Sequence, residues 1–460
     1  MSTETAPAVN RWFGIRFATA ARFEAPVRVP FAGVPAPGGT PGPIAPQTPG
    51  MLEQMFGQTA LDISEDCLSL NVFAPADAGP GSALPVLHWI HGGAYVNGSG
   101  SSPFYEASNL AARGHVVVTV NYRLGAFGYL GAGNWGTLDQ ICGLEWVRDN
   151  IAAFGGDAGN VTIFGESAGG SAVLSLMASP QAEGLFHRVV AQSPSIRQLR
   201  SLETANEWAA KFFEAAGVDG LDGARSLTVE QVLEAQGKVL LMRSTNYDMF
   251  SPAGGGDALP HDVLSAVAAS PVPLLMGTTR DESRLFTTFD PSMADCDEAR
   301  WQEFLQAHFA DRAGHARDVF ESHRPEANHS QLIAAVQTEH AFRAPAIELA
   351  ERRTELGNPT WKYWFTFAST AFGGVLGSCH ALDIPFVFDN ATGPGSEFLL
   401  GDGEGRGEIA DRFAGEISAC AKGGAASWPA YDTAKRATLR IDHRTEVLHD
   451  PESPIRALFS

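Results

Sequence analysis

Ser167 stands at the centre of Val161-Thr162-Ile163-Phe164-Gly165-Glu166-Ser167-Ala168-Gly169-Gly170, a β-branched run that leads into Gly-x-Ser-x-Gly and then into small residues. A strand turning this sharply into a helix forces the central residue into a strained conformation and exposes its hydroxyl. Gly or Ala is required on either side, because a larger residue would strike the adjoining strand and helix. The expected chemistry is nucleophilic. Ser167 Oγ attacks an acyl carbon, and the Ala168 amide, at the positive end of the helix, meets the oxyanion that forms. Upstream, Val86-Leu87-His88-Trp89-Ile90 ends in His91-Gly92-Gly93-Ala94-Tyr95. A second loop at the same sheet edge supplies further backbone donors, and glycine lets that backbone approach a substrate. Gly92 and Gly93 are the expected partners of Ala168 in an oxyanion hole, against the plainer reading of a tight turn.

Such a site needs a sheet whose strands end on one side. From about residue 84, short β-branched runs alternate with helical stretches, the pattern of a mostly parallel sheet flanked by helices in an α/β protein. The expected strands are Val86 to Ile90, His115 to Tyr122, Asn160 to Glu166, Arg188 to Ser193, Pro273 to Thr279 and Trp361 to Phe367. Helical periodicity covers Leu138 to Ala153, Ser167 to Ser179, Glu203 to Ala216 and Trp301 to Phe320. The first sixty residues, rich in Pro and Gly, read as an edge hairpin and a long loop, and Gly401 to Glu408 as a polar loop. Helical insertions at about 200–265 and 290–358 are expected to cap one end of the sheet.

Composition narrows the function. Acidic residues outnumber basic ones 52 to 32, a formal charge of -20, which argues against nucleic acid and against an anionic membrane surface. No run approaches the ~18 apolar residues of a membrane span. The polar N-terminus does not resemble a secretory signal. Five cysteines are too few for a disulfide framework, so a cytoplasmic location is the default. No spacing suggests a metal site, and no cofactor is expected. Gly131-Ala132-Gly133-Asn134-Trp135-Gly136 fits the dinucleotide pattern, but a loop separates it from the preceding strand and Trp135 occupies the pyrophosphate turn.

Several long motifs occur together: Glu65-Asp66-Cys67-Leu68-Ser69-Leu70-Asn71, His91-Gly92-Gly93, Asn121-Tyr122-Arg123-Leu124-Gly125-Ala126-Phe127-Gly128, Phe154-Gly155-Gly156-Asp157 and Phe164 to Gly170. In this order they resemble the type B carboxylesterases, the family of the bacterial para-nitrobenzyl esterases and the cholinesterases. The resemblance runs from about Gly14 to the C-terminus and implies an α/β-hydrolase fold with a Ser-Glu-His triad. It places the acid at Glu282, in Met276-Gly277-Thr278-Thr279-Arg280-Asp281-Glu282, with Asp281 passed over. It places the base at His380, in Gly377-Ser378-Cys379-His380-Ala381-Leu382-Asp383. Both positions follow an expected strand, and the order nucleophile, acid, histidine is that of the fold.

The resemblance implies that neutral His380 takes the Ser167 proton, that Glu282 orients the imidazole, and that water resolves an acyl-enzyme. Activity is then expected to fall on acidification near pH 6 to 7, the range of an ordinary histidine at ~6.5. It also implies supporting carboxylates at Glu166 and Asp383 and a supporting Ser193, which either assist catalysis or hold a buried polar network. Leu285 and Phe286 follow Glu282 closely enough to line an apolar pocket, and Arg22 with Glu65 and Arg123 with Asp139 match the family's structural ion pairs. Ala45 stands where secreted members have the cysteine that pairs with the position of Cys67. No tryptophan lies in Thr48 to Ser64, where cholinesterases hold a quaternary ammonium.

The partners implied are a small neutral ester and water. Hydrolysis of carbamates, amides or lactones by the same triad stays open, as does, more remotely, a non-catalytic adhesion protein on this fold. The oligomeric state is not legible. Because the site residues spread from Gly92 to His380, residues 1–460 read as one catalytic domain rather than the roughly three that length alone suggests.

Overall fold

The centre of the sheet is built from runs with no polar face, as strands covered by helices on both sides require. In the computed structural model, residues 8–50, 61–242, 248–256, 258–393, 395–423 and 426–459 are described. In chain order the strands are β1 (Val9–Arg16), β2 (Ala18–Thr19), β3 (Val27–Arg28), β4 (Ser69–Pro75), β5 (Leu84–Ile90), β6 (Val116–Val120), β7 (Gly156–Glu166), β8 (Arg188–Gln192), β9 (Leu274–Thr279), β10 (Thr360–Phe365), β11 (Ala437–Ile441) and β12 (Glu446–His449). Ten of them form one sheet in the order β1-β4-β6-β5-β7-β8-β9-β10-β11-β12, while β2 and β3 pair separately. Every neighbouring pair from β6 to β11 is parallel. The edges β1-β4, β4-β6 and β11-β12 are antiparallel. All residues of β6 and β9 are buried.

The six expected strands are present, with ends shifted by a few residues. The structure adds four more to the sheet, β1, β4, β11 and β12, and β1 pairs with β4 instead of closing a hairpin of its own. The stretch expected as one helix from Trp301 to Phe320 is two, Glu298–Phe309 and Ala313–His323, broken where Ala310 adopts φ 49°. The break lets Phe309 and Phe320 both reach Phe459, at ring distances of 5.6 and 6.5 Å, in a separate apolar cluster. The end of the expected 401–408 loop is the first turn of the helix Arg406–Ala421.

The first insertion supplies the helices Leu202–Ala216, Gly220–Arg225, Val229–Leu240 and Val263–Ala269. The second supplies the broken pair, then His329–Thr338, a π-helical turn Glu339–Arg343 and Ala344–Glu355. No helix among the described residues is long and apolar enough to cross a membrane.

All five cysteines are free. The loop before Cys67 is closed by backbone instead: Ile44 N–H donates to Asp62 O at 2.8 Å and Ser64 N–H to Ile44 O at 3.0 Å. Much of the segment without tryptophan, residues 51–60, lies outside the described residues.

Both expected ion pairs form. Arg22 Nε donates to Glu65 Oε2 at 2.9 Å in a half-open site. Arg123 grips Asp139 with Nε and Nη2, each at 2.7 Å, where both side chains are almost fully buried. Asp139→Ala leaves the guanidinium buried without its partner and is expected to cost ~3 to 5 kcal/mol. Glu65→Ala is expected to cost ~1 kcal/mol or less. Urea unfolding midpoints compare them, and equal losses would contradict the distinction.

Candidate active site

Ser167 has φ 59° and ψ -122°, the strained turn expected between a strand and a helix, here β7 and Ala168–Ala178. It is partly exposed, whereas Glu166 and Ala168 on either side are buried. A Cβ at Gly165 would lie 2.5 Å from Gly169 O, and one at Gly169 would lie 2.1 Å from Ile90 O, so close packing excludes any side chain at these two positions. Ser167 N–H donates to Gln192 O at 3.0 Å, which ties the turn to the end of β8.

The loop after β5 packs directly on this turn. A Cβ at Gly92 would come within 2.7 Å of Glu166 O and 3.1 Å of Ser167 Cβ, and Gly93 has φ 109°. Among the described residues, the amides of Gly92, Gly93 and Ala168 donate to no protein group. Three free donors therefore sit beside the serine. His91 holds the loop: its Nδ1 lies 2.8 Å from Gly92 O, and its ring stacks on Tyr122 at 4.5 Å. Burial lowers His91 to about 4 and His88 to about 3, so both are neutral and structural.

Glu282 follows β9, and His380 lies in the loop after β10. The two are joined twice. His380 N–H donates to Glu282 O at 3.2 Å, and His380 Nδ1 lies 2.6 Å from Glu282 Oε2. The other carboxylate oxygen accepts from Thr279 N–H at 2.8 Å. Asp281, which the sequence passes over, latches the two loops: its Oδ2 accepts from Ser378 N–H at 3.0 Å and from Arg280 Nε at 3.1 Å.

Glu166 touches the same imidazole from the other side, with Oε1 3.1 Å from His380 Nε2. Asp383 Oδ2 accepts instead from Tyr363 OH at 2.8 Å and Gln192 Nε2 at 3.2 Å. Ser193 is buried with φ 40°, and its N–H donates to Gly277 O at 2.8 Å. Burial pulls the His380 pKa down, but the charges of Glu166 and Glu282 outweigh it and raise it to about 9. Burial also raises Glu166 to about 8, against the pull of His380, and Asp383 to about 6, against its bond from Tyr363. The imidazole thus holds its proton well above the ordinary range expected from sequence.

Leu285 is packed in the core at 2% exposure, so of the two expected pocket residues only Phe286, 49% exposed, is presented beside His380, at a ring distance of 5.3 Å. The sequence did not reveal Phe342, whose ring lies 4.9 Å from His380. Phe342 belongs to the π-helical turn of the second insertion, where an aromatic residue carries no local signature. Among the described residues there is no group of three or more His, Cys, Asp or Glu able to hold a metal. In the Gly131 to Gly136 run, Trp135 fills the turn, and Asn134 is stapled to Ala253 by two bonds of 2.9 Å.

Residues 1–454 match the model of the "Carboxylesterase family". The para-nitrobenzyl esterase of Bacillus subtilis (strain 168) is 36% identical over 451 residues, covering 90% of this chain and 86% of that protein. A probable N-octanoylanthranilate hydrolase of Rhodococcus erythropolis is 37% identical over 407 residues, covering 83% and 81%. A solved PNB esterase superposes with a TM-score of 0.84 at 33% identity, covering 100% of this chain and 97% of that one. The chain belongs to the carboxylesterase family and is a carboxylic-ester hydrolase on the α/β-hydrolase fold.

Proposed function

We propose that this enzyme is a serine carboxylesterase for neutral, hydrophobic esters, working through Ser167, His380 and Glu282 and an acyl-enzyme. The observation that carries the reading is the 2.6 Å contact of Glu282 with His380 Nδ1, in a buried site beside a serine held at φ 59°. Neutral His380 takes the Ser167 proton through Nε2 as Oγ adds to the ester carbonyl. Glu282 fixes the tautomer and stabilises the imidazolium. The amides of Gly92, Gly93 and Ala168 hold the tetrahedral oxyanion, each worth on the order of a hundredfold or more in rate. His380 then protonates the leaving alcohol, and water repeats the sequence to release the acid. Asp383 holds the surrounding polar network through Tyr363 and Gln192, and Ser193 ties the end of β8 to β9 through its backbone. Phe286 and Phe342 give the histidine an apolar flank, which favours hydrophobic acyl or alcohol groups.

The proposal takes residues 1–460 as one catalytic unit in the cytoplasm, in keeping with five free thiols and a Cys67 loop closed by backbone hydrogen bonds. A second reading, amide hydrolysis by the same triad, is favoured by the relative whose name gives an N-octanoyl substrate. Ranking aryl esters, carbamates and amides by kcat/KM separates the two.

Ser167→Ala is expected to abolish turnover of a short-chain aryl ester and covalent labelling by an organophosphate; retention of either refutes the nucleophile. Two carboxylates raise the imidazole pKa, and the base must be unprotonated, so the acid limb of kcat/KM is expected above the ordinary ~6.5. Glu166→Gln removes one of those negative charges and is expected to move the limb to lower pH. An unmoved limb would show that Glu166 does not set the basicity of His380.

A further inference from the structure

Lys362, in the middle of β10, is 4% exposed, and its Nζ has no hydrogen-bond partner among the described residues. A buried ammonium without a hydrogen-bond partner is costly. It faces a cavity of about 20 Å³, room for one or two water-sized particles. Trp364, two residues on and so on the same face of the strand, also lines this cavity, with Tyr431, Arg343, Arg436 and Asp450. Trp364 Nε1 and the Tyr431 hydroxyl are likewise buried without partners. Charged lysine and tryptophan only donate, and a tyrosine hydroxyl is free to do so. The cavity therefore presents three unused donors.

The surrounding carboxylates are already engaged. Arg343 pairs with Glu339 and Glu452, Arg324 with Glu452, Arg436 with Glu351, and Arg456 with Asp450. Glu339 Oε2 is buried without a partner, but Glu339 does not line the cavity, and its Oε1 holds Arg343 at 2.9 Å. Among the described residues around the cavity, Lys362 is a cation with no carboxylate in direct contact. Burial, reinforced by Arg343, outweighs the opposite pull of Glu339 and Glu351 and lowers Lys362 to about 7, so its charge at neutral pH depends on what sits beside it.

We propose that this cavity binds one monovalent, halide-sized anion, held by Lys362, Trp364 and Tyr431 beneath Arg343. The site also has a route to the active centre, because Arg343 and Phe342 are consecutive in the π-helical turn and Phe342 packs on His380. An occupied cavity braces the turn from behind. Binding itself does not depend on the catalytic assignment.

The test uses the full-length enzyme with sodium bromide replacing sodium gluconate at constant ionic strength. A saturable rise in Tm is expected, together with an anomalous bromide peak in the cavity of crystals grown in bromide. Lys362→Met is expected to lose both. Tyr431→Phe, which keeps the packing, is expected to weaken bromide binding severalfold and serves if the lysine variant does not fold. Absence of the peak, a Tm that responds to bromide equally in wild type and variants, or a peak without a saturable response would overturn the proposal.

Discussion

One imidazole buried between two carboxylates is the constraint around which this structure is organised. His380 contacts Glu282 at 2.6 Å and Glu166 at 3.1 Å, and all three side chains are buried. Such a cluster is costly unless its groups are held by hydrogen bonds from their surroundings. The Thr279 amide takes the second oxygen of Glu282, and Asp281 fixes the Glu282 and His380 loops to each other. Asp383, the third carboxylate of the neighbourhood, is turned toward Tyr363 and Gln192. Glu166 and Glu282 contribute most to the basicity of the ring, and the charge of Asp383 adds to theirs.

The parallel sheet makes this arrangement possible because it delivers each group from a strand end on one side. β5 ends at the glycine loop, β7 at Ser167, β9 just before Glu282 and β10 before the histidine loop. In the sheet order these strands are near neighbours, so residues separated by up to 288 positions in the chain, Gly92 to His380, share one edge. The serine turn is the tightest point. It is squeezed between the β5 loop and the end of β8, which is why glycine occurs where backbone from two other segments crowds in.

The features legible in sequence are those whose chemistry restricts residue type locally. Gly165, Ser167 and Gly169 are read from their spacing because a single added carbon would collide with backbone. Glu282 and His380 needed motifs recognised over a longer span, since an acid and a histidine after a strand are common. The edge strand β1 escaped because its burial follows no strict alternation, with Trp12 and Ile15 buried among half-buried and exposed residues. The break at Ala310 has no glycine or proline to mark it and answers to the aromatic packing of Phe309, Phe320 and Phe459, contacts made with the far end of the chain. Phe342 was invisible for the same reason: its partner, His380, lies 38 residues on and is met only in three dimensions.

How the insertions are held against the sheet explains why a residue so remote from the motifs reaches the site. Helices satisfy their own backbone, but the irregular joints between insertion and sheet leave carbonyls to be capped. Arginine, with five donors in a rigid fork, suits that task better than lysine. Arg200 donates to Met249 O at 2.6 Å and Ser251 O at 2.9 Å, and Arg353 to Val272 O at 2.8 Å and to the Thr360 hydroxyl at 2.9 Å. Arg343 does the same where the second insertion meets the C-terminal segment, reaching Pro451 O and the carboxylates of Glu339 and Glu452. Because Arg343 closes the π-helical turn, that anchoring also fixes the adjacent Phe342. The apolar wall of the histidine is therefore set by a buried ionic joint on the far side of the same turn.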